Sequence, residues 1–236
     1  MPIYILELND NPALFPDIND ALDNPDGLLA MGGDLSPERI INAYHNGIFP
    51  WFSDGDPILW WSPSKRATIK PGCCYISTSM KKLLKRKKFS VTVNHAFSQV
   101  ITNCAAPRAY QAETWITDAM VAAYIKLHQQ GFAHSIEIWQ EQKLVGGLYG
   151  LCVGALFCGE SMFSSVSNCS KIAFIALNQH LQRFQGKLID CQMQTAHLRS
   201  MGVEEVSRGQ FMTELVKCRA QKMGKGCWNI QEILIS

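Results

Sequence analysis

The chain has 236 residues, 47% hydrophobic and only 18% charged, which supplies a sizeable core and excludes intrinsic disorder. A formal net charge of +2 excludes a globally basic nucleic-acid binder, so such a role must rest on a local cluster. Nine cysteines without a Cys-x-x-Cys pair argue against structural zinc and a secreted disulfide scaffold; with no signal-like start and no apolar run of bilayer length, the expected setting is soluble and cytoplasmic.

The first 65 residues are turn-rich. Ser36-Pro37 predicts a helix over residues 37–46, because the hydroxyl accepts from a free amide while proline sits where no donor is needed; Gly47 stops it. Ile40, Ile41, Ala43 and Tyr44 form its apolar stripe. The following Gly47-Ile48-Phe49-Pro50-Trp51-Phe52 presents large flat surfaces, suited to stacking on a base, lining an amino-acid pocket, or building the mini-core of a small N-terminal module. A short strand expected over residues 58–63 closes this segment.

The pattern then changes. A strand is expected over residues 67–69, a helix capped by Ser79 over 80–87, a strand over 90–94 and a helix over 96–104. The second of these carries a dense basic run, Lys81, Lys82, Lys85, Arg86, Lys87 and Lys88, which reads as a solvated face or as a phosphate-binding surface. Thr117 caps a further helix to Gln130, with Met120, Val121, Tyr124, Ile125 and Leu127 on it, and Gly131 ends it. Three β-like runs, 134–139, 144–151 and 155–163, predict an antiparallel meander. A helix over 170–184, a strand over 187–192, a short helix near 196–200 and a strand over 203–206 follow. Ser207-Arg208-Gly209-Gln210 has capping-box form ahead of a last helix. The order is that of a mixed α/β (α+β) protein with one central sheet.

Two acids stand out. Period-two alternation places Leu156, Cys158, Glu160 and Met162 on one face, and Phe157, Gly159, Ser161 and Phe163 on the other. Glu160 thus shares a face with apolar side chains, where a charge is costly unless paired, or else it is a strand-end residue reaching solvent. In the strand over 187–192, Asp190 and Gln192 fall on one face and Cys191 on the other. That favours a buried structural cysteine over a thiol nucleophile served by His134 or His197. Strands separated by one helix are often neighbours, so both acids are expected at one site.

Several segments stand together in one order: Gly27-Leu28-Leu29-Ala30-Met31-Gly32-Gly33-Asp34-Leu35-Ser36, Tyr44 with the aromatic segment to Phe52, Trp60-Trp61-Ser62-Pro63, Trp115-Ile116-Thr117 and His134-Ser135-Ile136-Glu137. To these are added Leu144-Val145-Gly146-Gly147-Leu148-Tyr149-Gly150, Phe157-Cys158-Gly159-Glu160-Ser161-Met162-Phe163-Ser164 and Leu188-Ile189-Asp190-Cys191-Gln192. Through these segments the sequence resembles the leucyl/phenylalanyl-tRNA–protein transferase family over nearly its whole length. Departures from the family pattern concentrate in the N-terminal residues, residues 105–111 and the tail after Lys217.

The resemblance implies transfer of leucine or phenylalanine from aminoacyl-tRNA to the N-terminal arginine or lysine of a protein, marking it for N-end-rule degradation. It implies a small domain over residues 1–65 and a catalytic domain over 66–236 folded like the GCN5-related N-acetyltransferases. Asp190, Gln192 and Glu160 are then the catalytic candidates, with Asp190 helping to remove a proton from the incoming amine. Tyr44, Trp51 and Trp115 are expected to hold the terminal adenosine and aminoacyl arm, with Tyr124 and Ser161 also on the substrate, and Leu148, Phe157 and Met162 as pocket walls. Because a methylene is worth only about 1–3 kcal/mol in an apolar pocket, methionine is expected to be accepted too. The basic run fits the acceptor stem of tRNA. No cofactor, metal or membrane is expected, and the chain is expected to be a monomer.

Two other readings compete. Gln221-Lys222-Met223-Gly224-Lys225-Gly226 satisfies the Q-x-x-G-x-G pattern by which acetyltransferases hold coenzyme A, yet it follows a helix instead of starting one, and reads as a chance match in a mobile tail. An acyl-CoA-dependent N-acetyltransferase therefore lacks its signature in the expected place. A non-catalytic RNA-binding module explains the cations and aromatics but leaves Glu160, Asp190 and Gln192 idle.

Overall fold

Two sheets, one small and one large, organise the chain. In the computed structural model, residues 3–8, 10–106 and 115–235 are described; most of residues 105–111, where the sequence departs from the family pattern, thus lies outside the described residues. β1 (Tyr4–Leu6), β2 (Leu28–Gly32), β3 (Phe49–Pro50) and β4 (Leu59–Trp61) form a four-stranded sheet in the order β1-β2-β4-β3, and α1 (Pro37–His45) packs against β3.

The large sheet comprises β5 (Lys65–Ile69), β6 (Ser90–Val93), β7 (Ala133–Gln140), β8 (Lys143–Val153), β9 (Leu156–Ser164), β10 (Leu188–Asp190), β11 (Glu204–Ser207) and β12 (Gln231–Glu232). Its order is β11-β5-β10-β9-β8-β7-β6-β12, antiparallel at every pairing except β9 with β10. The helices are α2 (Thr78–Lys85), α3 (Phe97–Ala105), α4 (Asp118–Gln129), α5 (Cys169–Arg183), α6 (Ala196–Arg199) and α7 (Arg208–Arg219).

Local chemistry sets the helix ends. Ser36 accepts from Arg39 N, Thr117 from Met120 N, and Ser207 and Gln210 form a reciprocal capping box. One expected cap is corrected: α2 starts at Thr78 with Ser77 accepting from Met80 N, so Ser79 lies inside the helix. The hydroxyl two residues earlier wins because it has the extended backbone a cap requires.

Each face of the large sheet has its own core. On one face, Tyr44, Phe49 and Trp60 of the N-terminal unit meet Tyr124, Tyr149, Leu156 and Phe211. On the other, α5 supplies Phe174, Leu177 and Leu181 against Phe157, Ile189 and Val91. Each such side chain, removed from water, contributes about 1.5–3 kcal/mol.

Two irregularities in β9 create space. Tyr149 pairs with Ser161 and Gly150 with Gly159, so Glu160 is the extra residue of a β-bulge. The bulge overturns the expected alternation: Met162 joins Phe157 on the α5 face, while Phe163 joins Leu156 and Cys158 on the opposite one. Then β10 pairs with β9 only at Leu188↔Leu156, Ile189↔Phe157 and Asp190↔Cys158. Past Cys158, β9 runs on to Ser164 without a ladder on that side, and the sheet opens.

The tail corrects a further expectation. It is docked, not mobile: the Trp228 ring stacks on His134 with centroids 4.2 Å apart, Asn94 Nδ2 donates to Trp228 O at 2.6 Å, and β12 pairs with β6. The Gln221-to-Gly226 pattern lies past α7 and initiates no helix. No helix of the described residues is long and apolar enough to cross a membrane.

Glycine at 150 permits the close approach beside the bulge, since a Cβ there would stand 2.2 Å from Cys158 O and 2.6 Å from the Phe157 ring. Gly150→Ala should lower stability by about 1–3 kcal/mol, the cost of overpacking, read as a fall in the urea midpoint.

Candidate functional site

A cavity of about 950 Å³ occupies the opening beside β9. Leu148, Met162, Phe174, Leu177, Ile189 and Leu198 give it an apolar wall, and Phe49, Pro50 and Trp51 from the N-terminal unit join Trp115 in an aromatic one. Its polar lining includes Ser161, Gln192, Thr195 and His197, and Glu160 is its single carboxylate among the described residues. An apolar pocket with few convergent polar groups suits a small hydrophobic substrate portion.

The bulge aims Glu160 at this cavity and also at two buried phenols. Tyr44 Oη from α1 lies 2.7 Å from Glu160 Oε1, and Tyr124 Oη from α4 lies 3.1 Å from Oε2. The two hydroxyls are 2.7 Å apart, and Gln192 Nε2 donates to Oε1 at 3.1 Å. Burial pushes the Glu160 carboxyl up to about 7; the tyrosine hydrogen bonds and Arg66 oppose that rise, and Asp190 adds to it.

Behind Gln192 stands a second network. Asp190, with no solvent exposure, accepts from Arg66 Nε at 3.1 Å and Nη2 at 2.5 Å, and from Gln192 N at 3.0 Å. Arg66, also buried, donates Nη1 to Gly47 O at 2.7 Å and lies between the rings of Phe49 and Phe211, 4.9 and 4.3 Å from their centroids. Burial disfavours its charge, but the Asp190 carboxylate outweighs this and holds the guanidinium above its ordinary range. Such bidentate pairing fixes orientation as well as charge.

Of the residues singled out from sequence, Trp51, Trp115, Leu148, Glu160, Ser161, Met162 and Gln192 line the cavity. Tyr44, Tyr124, Phe157 and Asp190 lie behind the wall, each 0% or 1% exposed. The expected strand pairing of Asp190 with Gln192 is corrected: β10 ends at Asp190, and Gln192 turns away with φ +54°. A side-chain-to-backbone bond, not strand alternation, joins them. Cys191 lines the cavity instead of being wholly buried, but burial pushes its thiol far above the range of a reactive thiolate. His134, stacked on Trp228, is driven down to about 3 by burial and is no lining residue. Among the described residues no group of three or more histidine, cysteine or acidic side chains converges as a metal site.

The six cations of the basic run are all exposed, three on α2 and three just past it, and none has an ion-pair partner among the described residues. None lines the cavity. Sequence reasoning missed Arg66 and the helical walls Phe174, Leu177 and Leu198. A lone arginine at a strand start carries no readable signal, and a helix buried nearly all round does not reveal which side faces a cavity.

Comparison with known proteins decides the relationship. The profile described as leucyl/phenylalanyl-tRNA protein transferase matches residues 68–216, and that of the same family's N-terminal domain matches residues 33–64. The chain belongs to the leucyl/phenylalanyl-tRNA–protein transferase family. A protein of that name from Psychromonas ingrahamii is 61% identical over 235 residues, covering 100% of this chain and 99% of its own. The transferases so named from Tolumonas auensis and Aeromonas hydrophila are 50% and 48% identical, with both chains of each pair fully covered. Among solved structures, L-PGS from Bacillus licheniformis is similar only at a TM-score of 0.40 and 11% identity, over 71% of this chain and 53% of its own, too weak a likeness to argue from.

In this transferase chain Arg66 on β5 and Asp190 on β10 both belong to the large sheet, Arg66 also reaching Gly47 O of the N-terminal unit, and the pair can be tested apart from chemistry. Arg66→Met should destabilise the fold by about 3–5 kcal/mol, because it strands a buried carboxylate. Adding Asp190→Asn should restore part of that loss in thermal melts.

Proposed function

We propose that this chain moves leucine or phenylalanine, and also methionine, from aminoacyl-tRNA to the α-amine of an N-terminal arginine or lysine of a protein, marking that protein for N-end-rule degradation. The observation that carries the reading is the cavity itself: an apolar wall flanked by Trp51 and Trp115, with one carboxylate on its surface among the described residues. Aminolysis of an ester requires an uncharged amine, a stabilised carbonyl oxygen and a protonated leaving oxygen. Gln192 is placed to orient the amine or to donate to the developing oxyanion. Ser161 contacts the substrate beside it.

Tyr44 and Tyr124 act through Glu160 and not on the substrate. Asp190 holds Gln192 and Arg66 in place, and Phe157 backs the pocket from behind. Trp51, 38% exposed and in edge contact with Trp61, offers a ready face to the terminal adenosine. We assign residues 1–65 to a small domain and 66–236 to a catalytic one resembling GCN5-related N-acetyltransferases. The chain is taken to act in the cytoplasm as a monomer, without metal or cofactor.

Incubation with labelled leucyl-tRNA and a peptide beginning with arginine should move label to the peptide without coenzyme A. A requirement for acyl-CoA would instead favour an acetyltransferase, and tRNA binding without transfer an RNA-binding module. The exposed cations form a phosphate-contacting surface for the tRNA. Replacing Lys85, Arg86 and Lys87 by alanine should weaken tRNA binding and flatten its salt dependence by about three charges' worth, seen in filter binding across a salt series. An unchanged slope would detach this surface from tRNA.

A further inference from the structure

Proton counting around Glu160 gives a result that hydrogen-bond distances alone do not. Tyr44 Oη, Tyr124 Oη and the two carboxyl oxygens close a ring with three contacts: 2.7 Å between the phenols, 2.7 Å from Tyr44 to Oε1, and 3.1 Å from Tyr124 to Oε2. Each contact needs one proton, and the two phenols supply two. With Glu160 ionised, one contact is left without a proton. If both phenols donate to the carboxylate, their oxygens face each other at 2.7 Å with nothing between them. One further proton on the carboxyl completes the ring: Oε2 donates to Tyr124, Tyr124 to Tyr44, and Tyr44 back to Oε1. Gln192 Nε2 adds its own bond to Oε1 in either state.

We infer that Tyr44, Tyr124 and Glu160 form one proton-accepting unit that takes the proton from the acceptor's α-ammonium group, with Glu160 the catalytic residue and the two tyrosines positioning residues. The inference rests on the transfer reading above. In the step, the Glu160 carboxylate accepts H⁺ from R–NH₃⁺, giving a carboxylic acid and R–NH₂. The amine lone pair forms the C–N bond to the ester carbonyl, and the C–O bond to the ribose breaks. A second nitrogen proton passes to the departing ribose oxygen, and the proton held by Glu160 returns to solvent. The alternative acceptor, Asp190, has no exposure, is engaged by Arg66 and Gln192 N, and is absent from the cavity wall.

The groups that face the ring are few. Tyr44 comes from α1, Tyr124 from α4, Tyr149 from β8 and Cys158 from β9, with Asp190 on β10 and Arg66 on β5. Asp190 raises the carboxyl and Arg66 lowers it, in opposition, and burial raises both the Tyr149 phenol and the Cys158 thiol. The carboxyl stands near 7, so the basic form becomes available as pH rises through neutrality. Each phenol's bond to a carboxyl oxygen favours the charged form, and the contact between the phenols, filled only when the carboxyl is protonated, favours the neutral one, so removing either hydroxyl should displace this limb.

The test is single-turnover transfer from preloaded phenylalanyl-tRNA to an arginine-first peptide, from pH 5.5 to 9, with tRNA affinity measured alongside. Glu160→Gln keeps the shape but cannot accept the proton; it should slow transfer by at least about a hundredfold with tRNA affinity within about twofold. Tyr44→Phe and Tyr124→Phe should displace the acid limb by about one pH unit and approach the wild-type rate at pH 9. The acceptor amine's own ionisation is common to every variant and cancels in the comparison. Near-wild-type transfer by Glu160→Gln, or a loss by the phenylalanine variants of equal factor at every pH, would overturn the assignment. An infrared titration of the Glu160 carboxyl in the tRNA-free protein gives a second readout: an unshifted titration in both phenylalanine variants would also overturn it. A wild-type chain that binds aminoacyl-tRNA but transfers nothing would sink the transfer reading itself, an outcome distinct from these.

Discussion

A guanidinium sealed from water is the constraint on which the site depends. Arg66 reaches back to Gly47 O in the N-terminal unit, sideways to Asp190 on β10, and is enclosed by the rings of Phe49 and Phe211. A buried ion pair of this kind adds little net stability, since desolvating both charges offsets most of their attraction. What it does fix is geometry. Asp190 holds the amide of Gln192 in a left-handed turn, Gln192 reaches Glu160, and Glu160 gathers the two phenols. Four links therefore run from Gly47, at the interface between the two sheets, to Glu160 on the cavity wall.

That sequence of contacts divides labour between two acids of the same chemical type. Asp190 has its oxygens engaged by the Arg66 guanidinium and the Gln192 amide. Glu160 has no cation of its own, only neutral donors, and sits where burial opposes its charge. Environment, not residue type, thus distinguishes an ion-paired carboxylate from one held by neutral donors. The apolar half of the cavity adds a low-dielectric neighbourhood in which a neutral amine is favoured over an ammonium.

Much of this was legible before the structure. The capped starts of α1, α4 and α7 rest on short-range chemistry that a linear sequence displays: Ser36-Pro37, Thr117-Asp118, and Ser207 with Gln210. The meander of β7, β8 and β9 was readable for the same reason. The bulge was not, because a strand with one extra residue shows the same apolar letters as a regular one, and Met162 and Phe163 exchange faces without any change in composition. Tyr44 and Tyr124, drawn toward substrate by resemblance, instead converge on Glu160 from helices 80 residues apart in sequence. Such long-range pairing leaves no local trace. The same holds for Arg66 and Asp190, separated by 124 residues.

The docked tail carries a consequence for biogenesis. β6 is flanked on one side by β7 and on the other only by the short β12, so its outer backbone groups are covered by residues 231–232 together with Trp228 beneath them. During synthesis that edge stays open until nearly all of the described chain has left the ribosome, and an open edge is a template for pairing with another nascent chain. The large sheet is therefore extended over the outer edge of β6 only when β12 arrives, well after β7 to β9 have emerged.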